Sequence, residues 1–104
     1  MLNFNDYQTQ ALTTAIYPED NRILYPALGL TNEAGEVAGK VKKIIRDGNV
    51  THWDVAKEIG DVLWYAAVLA HDLGFTLEEI AKDNLNKLAA RAARGALKGS
   101  GDDR

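Results

Sequence analysis

Two pairs of carboxylates stand three residues apart inside stretches of helical character. They are Glu33 and Glu36 in Thr31-Asn-Glu-Ala-Gly-Glu36, and Glu58 and Asp61 in Lys57-Glu-Ile-Gly-Asp61. A three-residue step sets both members of a pair on nearly the same side of a helix, one turn apart. If the two helices face each other, four acidic side chains converge on one spot. Such a cluster is costly unless cations neutralise it, and hard divalent ions prefer oxygen ligands. The pattern predicts a magnesium site and, with it, a phosphate chemistry.

The elements that must position these acids are punctuated clearly. Asn5 or Asn3 caps a first helix that runs to about Ile16, where Tyr17-Pro18 stops it. A polar connection over residues 17–25 leads to Pro26, which suits the first turn of a second helix running to Arg46 and ending at Asp47-Gly48. Thr51-His-Trp-Asp54 reads as a capping box with Asp in place of Glu, opening a third helix that reaches Leu73 before Gly74. Thr76-Leu-Glu-Glu79 is a capping box for a fourth helix that extends to about Arg94 before Gly95. The expected fold is all-α with four helices: one domain over residues 1–94 and a Gly-rich, charged tail over 95–104. No strand pattern competes.

On a helical wheel, Val55, Ile59, Val62, Ala66, Leu69 and Leu73 share one face of the third helix, with Glu58, Asp61 and Tyr65 along its flank. In the second helix, Leu30, Ala34, Val37, Val41 and Ile44 form the apolar stripe, bordered by Glu33, Glu36 and Lys40. The acids therefore border a core, where helical bundles place their ligands. A single acid pair is ordinarily a solvated surface feature; two on successive helices are harder to dismiss. Lys40 and Lys43 offer Glu36 alternative salt-bridge partners. Di-iron chemistry calls for a Glu-x-x-His step, and neither His52 nor His71 stands three residues after a Glu. Trp53, Trp64 and Phe75 read as core or interface, whereas Tyr65, four residues past Asp61, shares the acid flank. Gly29, Gly35, Gly39 and Gly60 sit within helices and suit close helix approach. Lys87, Arg91 and Arg94 recur along one edge of the fourth helix, near its C-terminus, where cations are favoured in any case.

Bulk properties narrow the class. A chain of 104 residues is one domain, small enough for oligomerisation to help it. With 46% hydrophobic and 26% charged residues the composition is that of a soluble globular protein. A net charge of −3 argues against broad nucleic-acid binding, and the absence of cysteine excludes disulfides, thiolate nucleophiles and Cys-based zinc sites. The start lacks a signal-peptide pattern, and the longest apolar run, Val62 to Ala70, is too short to span a bilayer. The expected location is cytoplasmic, without a membrane partner.

The residues Leu30-Thr-Asn-Glu-Ala-Gly-Glu-Val37 and Glu58-Ile-Gly-Asp-Val-Leu-Trp-Tyr65 resemble the MazG-like nucleotide pyrophosphohydrolases, whose pattern is Glu-Glu-x-x-Glu, a spacer, then Glu-x-x-Asp. Asn84-Leu-Asn-Lys-Leu88, Arg91 and Gly99-Ser-Gly-Asp-Asp-Arg104 are similar to the short, phage-type members, so the expected compartment is the host cytoplasm if the chain is phage-encoded. One departure is Asn32, which stands where the first Glu of the pattern would be. The resemblance implies a four-helix domain assembling as a homodimer or homotetramer. It also implies hydrolysis of nucleoside triphosphates, deoxy forms above all, between the α and β phosphates to monophosphate and pyrophosphate. By the same resemblance Glu33, Glu36, Glu58 and Asp61 hold Mg²⁺, with Mn²⁺ as the alternative ion. Tyr65, Asn84 and Lys87 match positions near the nucleotide, and Arg91, Arg94 and the tail are candidates for the phosphates. The tail's match also raises the prospect that it folds over a neighbouring protomer's site. Phosphoribosyl-ATP or a guanosine alarmone are alternative substrates. A non-catalytic helical interaction module is the rival from another class.

Overall fold

Asn3 opens helix α1 (Phe4–Leu12) by accepting a hydrogen bond from the Asp6 amide at 2.8 Å. The computed structural model describes residues 1–102; Asp103 and Arg104, the end of the expected tail, lie outside the described residues. A short 3₁₀ turn (Glu19–Asn21) follows, then α2 (Leu24–Asp47), α3 (His52–Asp72) and α4 (Leu77–Ala93), with no strand among the described residues. Among the described residues no helix is long and apolar enough to cross a membrane.

The caps account for most boundaries. Gly48, at φ 72°, closes α2 by donating back to the Ile44 and Lys43 carbonyls, a conformation glycine adopts without a Cβ penalty. The Thr51–Asp54 capping box forms in both directions, so the shorter Asp does reach back to the Thr51 amide, at 2.8 Å. Thr76 accepts from the Glu79 amide at 3.1 Å to start α4.

Two boundaries differ from expectation. Helix α1 stops at Leu12, not near Ile16, because Thr13 and Thr14 turn their hydroxyls onto the Gln10 and Ala11 carbonyls at 2.6 and 3.0 Å. Backbone bonds from Thr13, Thr14 and Ala15 to residues three back tighten the chain there, so it leaves the helix axis early. Helix α2 starts two residues before Pro26, whose missing amide is harmless in a first turn. It is entered through a γ-turn: Leu24 N–H donates to the Arg22 carbonyl at 2.8 Å around Ile23, at φ 70° and ψ −58°. A β-branched residue at positive φ is strained by about 1–3 kcal/mol.

Helices α2 and α3, joined by residues 48–51, pack along each other as a long hairpin, and α1 and α4 lie against α3. The core sits at the C-terminal half of α3, where Ala67 and Val68 pack with Ala11 and Leu77 inside a ring that includes Tyr7, Leu12, Tyr17 and Trp64. This corrects the wheel reading. Ile59, Leu73, Ala34 and Val41 are exposed in the single chain, and the best-buried α3 residues lie on the face that meets α1 and α4. A lone hairpin seam cannot cover two apolar faces, so Ile45 (83% exposed), Trp53 (69%) and Ile59 (56%) remain open at its far end.

Gln8 joins the layers. Its side chain is buried; Nε2 donates to the Ala67 and Phe75 carbonyls at 2.9 and 3.3 Å, and Oε1 accepts from the Leu77 amide at 3.1 Å. Asp72, at the end of α3, makes the second long-range connection. Its carboxylate, 3% exposed, accepts from the Tyr17 hydroxyl at 2.5 Å, the Ile23 amide at 3.0 Å and Arg22 Nε at 3.4 Å.

Candidate metal centre and adjoining cleft

The hairpin sets Glu33 of α2 against Glu58 and Asp61 of α3. One carboxylate oxygen from each lies within 4.8 Å of the others. Glu33 and Glu58 are half-buried and Asp61 is exposed. Glu36, one turn along α2, is exposed and stands outside this triad, though its charge still reaches Glu33. Burial raises the Glu33 carboxyl above its ordinary value; the Asp61 charge, a hydrogen bond with Glu58, and the charges of Glu58 and Glu36 raise it further. Among the described residues no lysine, arginine or histidine forms an ion pair with these four acids, and neither Lys40 nor Lys43 bridges to Glu36. Three converging carboxylates without a protein cation, all oxygen donors, fit a hard divalent ion such as Mg²⁺ or Mn²⁺ and suit no soft metal.

Tyr65 stands one turn beyond Asp61. Burial raises its phenol; the neighbouring Tyr25 hydroxyl and the charges of Glu33 and Asp61 add to the shift. Its ring lies over Gly29 so closely that a Cβ there would come within 2.1 Å of Tyr65 Cε1. Close approach is therefore realised at Gly29, whereas a Cβ at Gly35, Gly39 or Gly60 would meet nothing within 4 Å. From Tyr65 the aromatic array continues. Its ring centroid is 6.4 Å from Tyr25, which stacks on Tyr17 at 4.9 Å and 18°, while Trp64 meets Tyr65 edge-on at 4.9 Å. These four rings, with Thr14, Ile16 and Pro18, line an open cleft of about 270 Å³. Gly29→Ala should push the Tyr65 ring aside and alter the cleft beside the acids. We expect the near-ultraviolet circular dichroism of the aromatic cluster to change while the far-ultraviolet helical signal is kept. An unchanged aromatic signal would show that the ring is not displaced.

The basic edge of α4 is organised differently. Lys87 Nζ and Arg91 Nη2 both contact Asp102 Oδ1, at 3.1 and 3.3 Å. Arg91 also donates to the Gly101 and Asp102 carbonyls at 3.3 and 2.8 Å, so the described part of the tail folds back onto its own helix. Arg91 is 4% exposed and its Nε has no hydrogen-bond partner among the described residues. Asn84 and Arg94 are exposed. The structure thus gathers Glu33, Glu58, Asp61 and Tyr65 in one place, and Lys87 with Arg91 in another. His52 lines an apolar groove with Val41, Ile44 and Ile59, and His71 lines a second cavity beside Asp72. Sequence reasoning missed Tyr17, Tyr25 and Asp72. The tyrosines stand at the two ends of the 17–25 connection, each before a proline, a placement that reads as punctuation.

The fold and site define an all-helical domain with a carboxylate cluster beside an aromatic cleft. The sequence profile of the MazG nucleotide pyrophosphohydrolase domain matches residues 25–95, and the chain belongs to that family. It is 46% identical over 109 residues to the "Gene 37 protein" of Mycobacterium phage L5, an alignment covering 94% of this chain and 96% of that protein. No solved structure matches it.

Proposed function

We propose that the chain is a Mg²⁺-dependent nucleoside triphosphate pyrophosphohydrolase, acting above all on deoxynucleotides. Water adds to the α phosphorus, the bond between that phosphorus and the α–β bridging oxygen breaks, and nucleoside monophosphate and pyrophosphate leave. The observation that carries this reading is the triad of Glu33, Glu58 and Asp61, whose oxygens converge with no cation of the described residues paired to them. A triphosphate meets the same negative charge, so a cation is needed both to assemble the complex and to react. When bound, Mg²⁺ supplies Lewis-acid polarisation of the phosphoryl oxygens and holds the pyrophosphate charge.

The chain's own residues do the rest. Glu33, Glu58 and Asp61 hold the ion, and Glu36, exposed and outside the triad, is free to join it or to orient the attacking water. Tyr65 connects the acids to the cleft, where Tyr17, Tyr25 and Trp64 offer faces and edges to a planar base. Lys87 and Arg91 stand apart from these acids and are engaged by Asp102, so they would meet phosphates only if the tail yields and a neighbouring protomer brings them to the site; Asn84 and Arg94 lie on the same helix edge. The exposed Ile45, Trp53 and Ile59 favour assembly as a homodimer or homotetramer.

The test is pyrophosphate release from a panel of NTPs and dNTPs, with Mg²⁺, with Mn²⁺ and with chelator. Monophosphate and pyrophosphate should appear in equal amounts and only with metal. Release confined to phosphoribosyl-ATP or a guanosine alarmone would change the substrate and keep the site. An inert panel with folded protein would favour a non-catalytic helical module.

A further inference from the structure

We propose that Asp72 is a positioning residue for the aromatic cleft, holding both tyrosine walls from outside it. The inference rests on the nucleotide reading of that cleft. Asp72 does not line the cleft; its carboxylate lies in the neighbouring cavity, where Tyr17 is a wall common to both. All three of its donors come from the connection between α1 and α2: the Tyr17 hydroxyl, the Arg22 guanidinium and the Ile23 amide. Tyr17 lies in that segment, and Tyr25 stands just past it in the first turn of α2.

The two grips act on the two rings separately. The bond from the Tyr17 hydroxyl fixes the far end of a ring that stacks 4.9 Å from Tyr25. The bond from the Ile23 amide holds the strained γ-turn through which the chain enters α2, two residues before Tyr25. Without an acceptor at Asp72, a β-branched residue at φ 70° has every reason to relax toward negative φ, and Tyr25 would move with the turn. Burial alone would raise the Asp72 carboxyl, yet the bonds from Ile23, Tyr17 and Arg22 hold it below its ordinary value, so it stays an anionic acceptor.

Helix α3 then acts as a ruler. Asp61 and Asp72 are eleven residues apart on one helix, a separation of about 16 Å at 1.5 Å per residue. The acids stand at one mark and the clasp that sets the base-facing walls at the other. Glu58 and Asp61, the cleft residues Trp64 and Tyr65 and the clasp at Asp72 are therefore all carried by a single rigid element.

The test uses the full chain carrying Trp53→Phe, which leaves Trp64, a cleft residue, as the sole tryptophan. A non-hydrolysable α,β-imido dNTP with Mg²⁺ should quench its fluorescence saturably. In Asp72→Ala, which removes every acceptor, we expect at least a tenfold weaker quench midpoint, red-shifted Trp64 emission in the free protein and a raised KM with kcat nearly kept. Mg²⁺ affinity by calorimetry should be unchanged. Tyr17→Phe, which keeps the ring and loses one bond, should weaken binding about threefold and decides the matter if Asp72→Ala does not fold. Equal nucleotide affinity in parent and both variants would overturn the positioning role alone. Joint loss of nucleotide and Mg²⁺ binding would overturn it in favour of general folding. A parent that binds Mg²⁺ and shows no quench would overturn the nucleotide reading, and this inference with it.

Discussion

Replacing Glu58 by Gln or Asp61 by Asn will lower metal-dependent pyrophosphate release by about a thousandfold or more, while the helices remain. A bound divalent ion contributes several kcal/mol of transition-state charge stabilisation, and about 4 kcal/mol corresponds to a thousandfold in rate. Each substitution is close to isosteric and removes the negative charge from one of three carboxylates whose oxygens converge within 4.8 Å. The stability effect has the opposite sign. Without metal, three facing carboxylates repel one another; the Glu33 carboxyl is raised first by burial and then by the charges of Asp61, Glu58 and Glu36. Either amide relieves that repulsion, so the metal-free variants should melt a few degrees higher than the parent. Added Mg²⁺ should stabilise the parent and leave the variants nearly unmoved, since a ligand stabilises only through its affinity for the folded state. Melting curves with and without Mg²⁺, beside the release assay, read both signs. Full release by both variants would remove the metal assignment; a lower metal-free melting temperature would mean that the acids are structural partners instead.

That pairing of lost activity with gained stability also explains how much of the site was legible beforehand. A three-residue acid spacing is a local property of a helix, so the pairs could be read directly. Whether four acids or three converge depends on how α2 is rotated against α3, and this leaves Glu36 outside the triad. Caps are local too. Asn3, Thr51, Thr76 and Gly48 all act as their residue types suggest. The end of α1 was misjudged because Thr13 and Thr14 form helical and non-helical structure with similar ease, and side-chain bonds to the backbone decide between them. The cleft was invisible for a different reason. Tyr17 and Asp72 are 55 residues apart in sequence and touch only when α1, the 17–25 connection and α3 have assembled. Gly29 shows the same dependence. Its role is defined by the ring of Tyr65, 36 positions later, and nothing near it in the chain separates it from Gly35 or Gly39.

The assembly of those layers predicts the largest stability loss. Gln8→Leu should destabilise the domain by about 2–4 kcal/mol, since buried groups left without partners cost about 1–3 kcal/mol each and relaxation recovers part of that. At about 4–8 °C per kcal/mol for a domain of this size, the melting temperature should fall by at least about 8 °C. The reason is the mixed chemistry of the amide. Nε2 gives two bonds to the Ala67 and Phe75 carbonyls, while Oε1 takes one from the Leu77 amide at the start of α4. Leucine fills similar volume and satisfies none of them. Gln8→Glu separates shape from polarity. Its carboxylate still accepts from Leu77 but faces two carbonyl oxygens with nothing to donate, so at neutral pH it too should be destabilised. Protonation restores one donor. The introduced carboxyl therefore has a folded-state pKa above its unfolded value, and stability relative to the parent should recover as the pH falls through that raised value. Denaturant melts of both variants between pH 4.5 and 7.5, a window spanning the ordinary carboxyl range of about 4 and the values above it, would show a pH-independent deficit for leucine and a shrinking one for glutamate. A pH-independent deficit of equal size in both would mean that Gln8 serves through packing volume, and its three bonds contribute nothing beyond it.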